Sequence, residues 1–263
     1  MELIDTHCHI DVAAFDADRQ QVLAHCQQLG VSRIVVPGIA ADGWEKLQHL
    51  CADNPSLFPS YGLHPVYLDH HDEGDLAALE KRIHTTRSIA VGEIGLDFFL
   101  PELDRTRQQQ LFEAQLQIAQ RAQLPVLLHV RKSHDAVLAS LRRHPVPGGI
   151  CHAFNGSLQQ AEQYIALGFK LGFGGMLTYP RSTKLRHLAQ ALPVEAIVLE
   201  TDAPDMTVAS HHGQRNSPEY LPQCLAALAE ARHEDAEYLA QQTTANAEAV
   251  LAFTEFAEDN VAP

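Results

Sequence analysis

Positive charge is scarce in this sequence. Its 19 Lys and Arg stand against 33 Asp and Glu, a net charge of −14, which excludes a protein that lies along nucleic acid through a broad basic surface. A nuclease that engages only a strand end, through metal ions and a few cationic groups, stays open. No run approaches the roughly 20 apolar residues of a membrane span, and Met1-Glu2 opens directly into an apolar strand with no basic, apolar leader. The expected compartment is the cytoplasm, with no membrane partner. Cysteine is sparse too: Cys8, Cys26, Cys51, Cys151 and Cys224 are odd in number and lack CxxC spacing. They read as reduced, mostly buried small hydrophobes, which excludes a disulfide framework or a zinc knuckle.

What the sequence does have is a rhythm of short apolar runs and longer helical stretches. Strands are expected at Leu3 to Asp11, Arg33 to Gly38, Leu57 to Leu63, Ile89 to Gly95, Pro125 to Val130, Gly149 to His152, Phe169 to Gly174 and Ala196 to Asp202. Between them fall helical patterns, the clearest at Asp104 to Gln123, where Phe112, Leu116 and Ala119 recur at i, i+4, i+7. Eight strand–helix units of roughly 20 to 36 residues, in a chain close to the usual ~250, are what a (β/α)₈ TIM barrel requires. A doubly wound open sheet would gather its polar groups at one crevice, whereas here they cap strands around the whole count. After the eighth strand, a loop from Ala203 to Asn216 precedes two or three extra closing helices. The barrel domain is expected over 1–254, with a loose acidic tail at 255–263.

The chemistry sits at the strand ends. In a strand, residues i and i+2 share a face, so His7 and His9 project together and Cys8 points the other way. The fourth strand ends in Glu93, the fifth in His129, the sixth in His152 and the eighth in Asp202. A buried imidazole or carboxylate without a partner costs several kcal/mol, so six at corresponding places favour one shared metal site. Four imidazoles and two carboxylates exceed one tetrahedral shell and suit two divalent ions bridged by Glu93. His7, His9 and Asp202 would hold one ion, and His129 and His152 the other. Nitrogen-rich ligation favours zinc, manganese or iron over magnesium on intrinsic preference, with zinc, manganese and magnesium the working candidates.

The stretches IDTHCHID, YGLHP, VGEIGLDF, PVLLHVRKSHD, HAFNGS, LETDAP and RNSPEYL together resemble, nearly end to end, the TatD-type metal-dependent deoxyribonucleases of the amidohydrolase-like barrel superfamily. The resemblance implies a monomeric-scale barrel with a dinuclear site that hydrolyses DNA phosphodiester bonds, commonly from the 3′ end, with single-stranded ends or short oligonucleotides as partners. By motif match its ligands fall on the same six residues. Ser133, Ala153, Asn155 and Asp205 depart from the common pattern at the rim, where substrate preference would be set.

A mechanism follows as an expectation: a metal-bridging hydroxide attacks phosphorus in line, with Asp202 as general base. His64 would donate to a phosphate oxygen or leaving group, unless it only caps the turn before Pro65. Arg131 shares strand parity with His129 and would clamp phosphate. Glu200 suits an acceptor that orients a ligand histidine, and Asp97 and Arg215-Asn216 are further candidates near the mouth. His211-His212, the helical histidines and Phe98-Phe99 are expected to be surface or rim groups. Two other functions compete. One is hydrolysis of small esters, lactones or cyclic amides, but such enzymes often bridge their ions with a carboxylated lysine where Glu93 stands. The other is a binding protein with a structural metal, which six ligands with open water positions argue against.

Overall fold

The structure is a computed structural model describing residues 1–251 and Phe253; the expected tail at 255–263 lies outside the described residues. Eight strands alternate with helices: β1 (Leu3–Asp5), β2 (Val31–Pro37), β3 (Leu57–Ser60), β4 (Val91–Asp97), β5 (Val126–Arg131), β6 (Gly149–Cys151), β7 (Phe169–Phe173) and β8 (Ile197–Leu199). The intervening helices are α1 (Arg19–Gln28), α2 (Trp44–Asp53), α3 (Asp75–Thr85), α4 (Arg105–Ala122), α5 (His134–Arg143), α6 (Leu158–Ala166) and α7 (Thr183–Ala191), followed by α8 (Leu221–Arg232) and α9 (Ala236–Leu251). All ladder pairs are parallel, in the orders β1-β2-β3 and β4-β5-β6-β7-β8. A Tyr61–Val91 bridge joins the two sheets on one side, and Thr6 N–H donating to the Leu199 carbonyl at 3.0 Å joins them on the other. The sheet is thereby closed into the (β/α)₈ barrel that the eight-unit rhythm implies.

Local sequence accounts for the helix limits. Asp104 opens α4 by accepting from the N–H groups of Thr106 and Arg107, and Gln123 ends it in the left-handed region at φ 54°. Ser157 and Gln160 form a reciprocal capping box at the start of α6. Inside the barrel, Ile4, Val35, Phe58, Ala90, Leu127, Ile150 and Val198 form one apolar cluster, which Ala247 and Leu251 of α9 and Phe253 plug from the amino-terminal end of the strands. A larger cluster fills the layer between strands and helices. The extra helices thus close the floor, leaving the opposite end for chemistry.

Three strands are shorter than their sequences suggest. β1, β3 and β8 stop at Asp5, Ser60 and Leu199, ahead of the residues that carry the chemistry. Beyond these ends the regular ladder gives way to isolated backbone bonds, such as His9 N–H to the Ala203 carbonyl at 2.8 Å, and to side-chain partners. Buried Asp5 accepts from the N–H groups of His7 and Thr201 and from the Thr201 hydroxyl. Gln115 of α4 pairs both peptide groups of Leu63, at 2.7 and 3.0 Å, and Gln108 does the same for Asp97, at 2.8 and 3.0 Å. Each amide acts as a surrogate strand, satisfying backbone that the ladder has released.

Candidate metal centre at the barrel mouth

The six expected ligands converge at the carboxyl ends of the strands, and Glu93 is the hub. Its side chain is 2% exposed, and its two oxygens face different histidines. Oε2 lies 3.1 Å from His7 Nε2 and 3.5 Å from His9 Nε2. Oε1 lies 3.1 Å from His152 Nε2, 3.2 Å from His129 Nδ1 and 3.2 Å from His64 Nε2. Asp202 approaches the first group, with Oδ1 3.7 Å from the Nε2 atoms of both His7 and His9. Three sets of side chains each present ligand atoms within 4.8 Å of one another: His7-Glu93-His152, His7-His9-Asp202 and His64-Glu93-His129.

Hydrogen bonds behind the rings fix which nitrogen faces inward. His9 Nδ1–H donates to the Pro37 carbonyl at 3.2 Å, which leaves Nε2 a bare lone pair. His129 Nε2–H donates to buried Asp97 at 3.0 Å, which leaves Nδ1 bare toward Glu93. This is the carboxylate or carbonyl behind an imidazole that orients metal-binding histidines. His64 is the reverse case: its Nδ1 accepts from Val66 N–H at 3.1 Å, so in the neutral ring Nε2 carries the proton. It caps the turn before Pro65 and its Nε2 also faces Glu93, as a donor and not a bare ligand.

The donor set fits divalent metal. Two carboxylate oxygens offer about four lone-pair sites, yet five imidazole nitrogens crowd them. In the neutral rings of His9 and His129 these nitrogens aim lone pairs at an anion, an arrangement that needs a cation, a proton or a metal ion, between them. Buried His7 Nδ1, His152 Nδ1 and Glu200 Oε2 also lack hydrogen-bond partners among the described residues.

Charge follows the same geometry. Burial opposes the charged form of His9, but Glu93 and Asp202 overturn it and hold the ring up at about 9. Burial likewise opposes charging of His152, and Glu93 and Glu200 raise it well above the ordinary value. Burial drives His7 down to about 3 and His64 to about 4. Burial opposes charging of His129 too, and Asp97 and Glu93 raise it. Ligand imidazoles bind only when deprotonated, so metal uptake at neutral pH must expel the protons on His9 and His152 and any held by His129, and affinity must fall as pH falls. Titration calorimetry at pH 7 in two buffers of different ionisation enthalpy should show about two to three protons released per chain loaded; uptake without proton release would sink this assignment.

The neighbouring candidates divide. Glu200 Oε1 accepts from Ala153 N–H at 2.5 Å and lies 3.7 Å from His152 Nδ1. Asn216 ties the loop after β8 by donating to the Thr201 and Asp205 carbonyls, whereas Arg215 pairs with Asp18 away from the ligands. Arg131 reaches the mouth, its guanidinium 3.8 Å over the Phe99 ring. His211 stacks on Tyr220 and His212 meets the Tyr179 hydroxyl, so neither joins the centre. Sequence reasoning missed Gln108, Gln115 and His71, whose Nε2–H donates to the His64 carbonyl. A signal existed for the glutamines: both are buried on the apolar stripe of α4.

Comparisons with known proteins agree with this geometry. The family profile described as "TatD related DNase" matches residues 4–252. The Escherichia coli K12 protein named "Uncharacterized metal-dependent hydrolase YjjV" is 42% identical over 241 residues, 90% of this chain and 93% of its own length. Its crystal structure, described as a TatD homologue, superposes with a TM-score of 0.92 at 40% identity, covering 95% of this chain and 98% of that one. A Pantoea protein named "3'-5' ssDNA/RNA exonuclease TatD" is 31% identical, over 93% of this chain and 97% of its own. No helix among the described residues is long and apolar enough to cross a membrane. With a matching profile over nearly its whole length and a metal-ready cluster at the mouth of its barrel, the chain belongs to the TatD-related DNase family of metal-dependent hydrolases.

Proposed function

We propose that this chain is a two-ion exonuclease that removes nucleotides from the 3′ end of single-stranded or short DNA. One observation carries the reading: Glu93 Oε2 turns to His7 and His9, beside Asp202, while Oε1 turns to His129 and His152. A carboxylate divided between two nitrogen groups suits two ions, with His7, His9 and Asp202 around one and His129 and His152 around the other. When bound, divalent ions supply a water of lowered pKa and neutralise charge on phosphoryl oxygens.

The chain's own groups do the rest. Burial pushes the Asp202 carboxyl up to about 6, against the pull of His152 and His9, which suits a general base near neutral pH. His64, neutral at that pH, offers its Nε2–H to a phosphoryl oxygen or the leaving oxygen. Arg131, half-exposed at the rim, clamps phosphate. The name of the Pantoea relative supports the 3′ polarity and adds RNA as a second substrate. The ester or lactone alternative is disfavoured because the β4 donor is a glutamate and no lysine lines the mouth cavity.

The test is digestion of 5′-labelled and 3′-labelled single-stranded oligonucleotides by chelator-stripped protein resupplied with Mg²⁺, Mn²⁺ or Zn²⁺. The expected result is a descending ladder from the 5′-labelled strand and release of a labelled mononucleotide from the 3′-labelled one. Intact DNA with every metal, alongside cleavage of a small ester or lactone, would hand the same site to the alternative.

A further inference from the structure

We propose that a groove beside the metal centre is a track for the nucleotides that precede the scissile bond, and so makes the enzyme selective for a polynucleotide over a dinucleotide. This rests on the exonuclease reading. The mouth cavity, of about 650 Å³, continues into a second hollow of about 540 Å³, and Arg131 and Asn155 line both. A strand end seated at the metals therefore has a walled route along which its chain can continue.

The groove has the chemistry of that occupant. Its charged lining comes from Arg131, Lys132 and Lys184, and no Asp or Glu lines it. In a chain with 33 acidic and 19 basic residues, such a purely cationic hollow opposes the overall charge. Lys184 Nζ donates to the Asn155 carbonyl, and the guanidinium of Arg131 is 3.9 Å from Asp97, a carboxylate already engaged by His129. Lys184 is thus met by a neutral carbonyl, and Arg131 shares its one carboxylate with His129, which leaves cationic charge in the groove for phosphates. Lys132 holds φ 57° at the turn from β5 into α5, a left-handed conformation that non-glycine residues adopt sparingly and that recurs at functional sites. Phe99, 51% exposed on the same wall, carries the Arg131 guanidinium 3.8 Å over one face of its ring, and the rest of its exposed surface is an aromatic platform on which bases stack without sequence preference. Cations that follow a backbone beside an aromatic platform are the pattern of single-strand binding, and a free mononucleotide would use only the mouth.

The experiment uses the full-length Mn²⁺-loaded protein, the Lys132→Ala/Lys184→Ala double variant and the Phe99→Ala variant, on oligodeoxynucleotides of two to six nucleotides. In the wild type, kcat/KM should climb with length. In the double variant, the hexanucleotide-to-dinucleotide ratio should fall about tenfold, and the slope of log kcat/KM against log salt should become shallower by about 1.4, the loss of two single-strand phosphate contacts. Phe99→Ala should lower the same ratio without changing the salt slope. A double variant with unaltered ratio and slope overturns the track while leaving the nuclease reading intact. Should the wild type cleave no oligonucleotide, the nuclease reading falls. The groove is then decided by anisotropy of a labelled hexanucleotide, where an equal salt slope in wild type and double variant overturns it.

Discussion

Replacing Glu93 with glutamine should reduce hydrolysis on the order of 10³-fold or more and lower the bound metal per chain, while the barrel stays folded. The change is isosteric but removes the one charge around which five imidazole nitrogens gather. It also puts an NH₂ donor where one of the two histidine groups presents bare lone pairs, so one group loses its anionic partner whichever way the amide turns. His9 and His152 owe their raised pKa values in part to Glu93, so both should bind protons more weakly in the variant. Metal content by atomic emission, kcat on an end-labelled oligonucleotide and far-ultraviolet circular dichroism separate the effects. A folded variant with full metal content and activity within tenfold of the wild type would show that Glu93 is not the shared ligand.

The second large effect is expected in the scaffold. Gly95 sits on β4 opposite His129 of β5 with φ +147°, and a Cβ there would lie 1.9 Å from the His129 carbonyl oxygen. Gly95→Ala combines a backbone clash with a conformation that side chains rarely adopt, and should cost about 3 kcal/mol or more. At roughly 2–4 °C per kcal/mol for a chain of this size, the melting temperature should drop by about 6–12 °C. Gly213→Ala is the control, because its φ is +78° but a Cβ there meets nothing within 4 Å. That substitution isolates backbone strain and should cost about 1 kcal/mol. Equal melting shifts for the two variants would mean that β4 and β5 can separate locally, and that their spacing is not what keeps Glu93 and His129 within reach.

The clustering of His7, His9, Glu93, His129, His152 and Asp202 was legible because each interrupts an apolar run at the same end of its strand. Strand alternation also placed Arg131 at the mouth. Parity served even where the ladder had ended: His7 and His9 lie beyond β1, yet their rings are 5.1 Å apart and Cys8 is turned into the core. What the pattern could not carry were partners remote in the chain. Asp5 with Thr201, Gln115 with Leu63 and Lys184 with Asn155 depend on closure of the barrel, which no local periodicity encodes. The same closure explains the short β1, β3 and β8, because residues of strand-forming type left the ladder for isolated backbone bonds and side-chain partners.

The paired glutamines of α4 bear on how this barrel can vary. Gln108 and Gln115 stand about two helical turns apart, and each grips a different mouth segment, Asp97 behind His129 and Leu63 beside His64. A residue inserted between them would swing one amide about 100° around the helix and release its segment. The connection from Phe98 to Asp104 carries no such constraint on its length. Insertions are therefore tolerable before α4 and not within it, so the lip of the mouth can change in length while the spacing of the clustered histidines and carboxylates beneath it is kept.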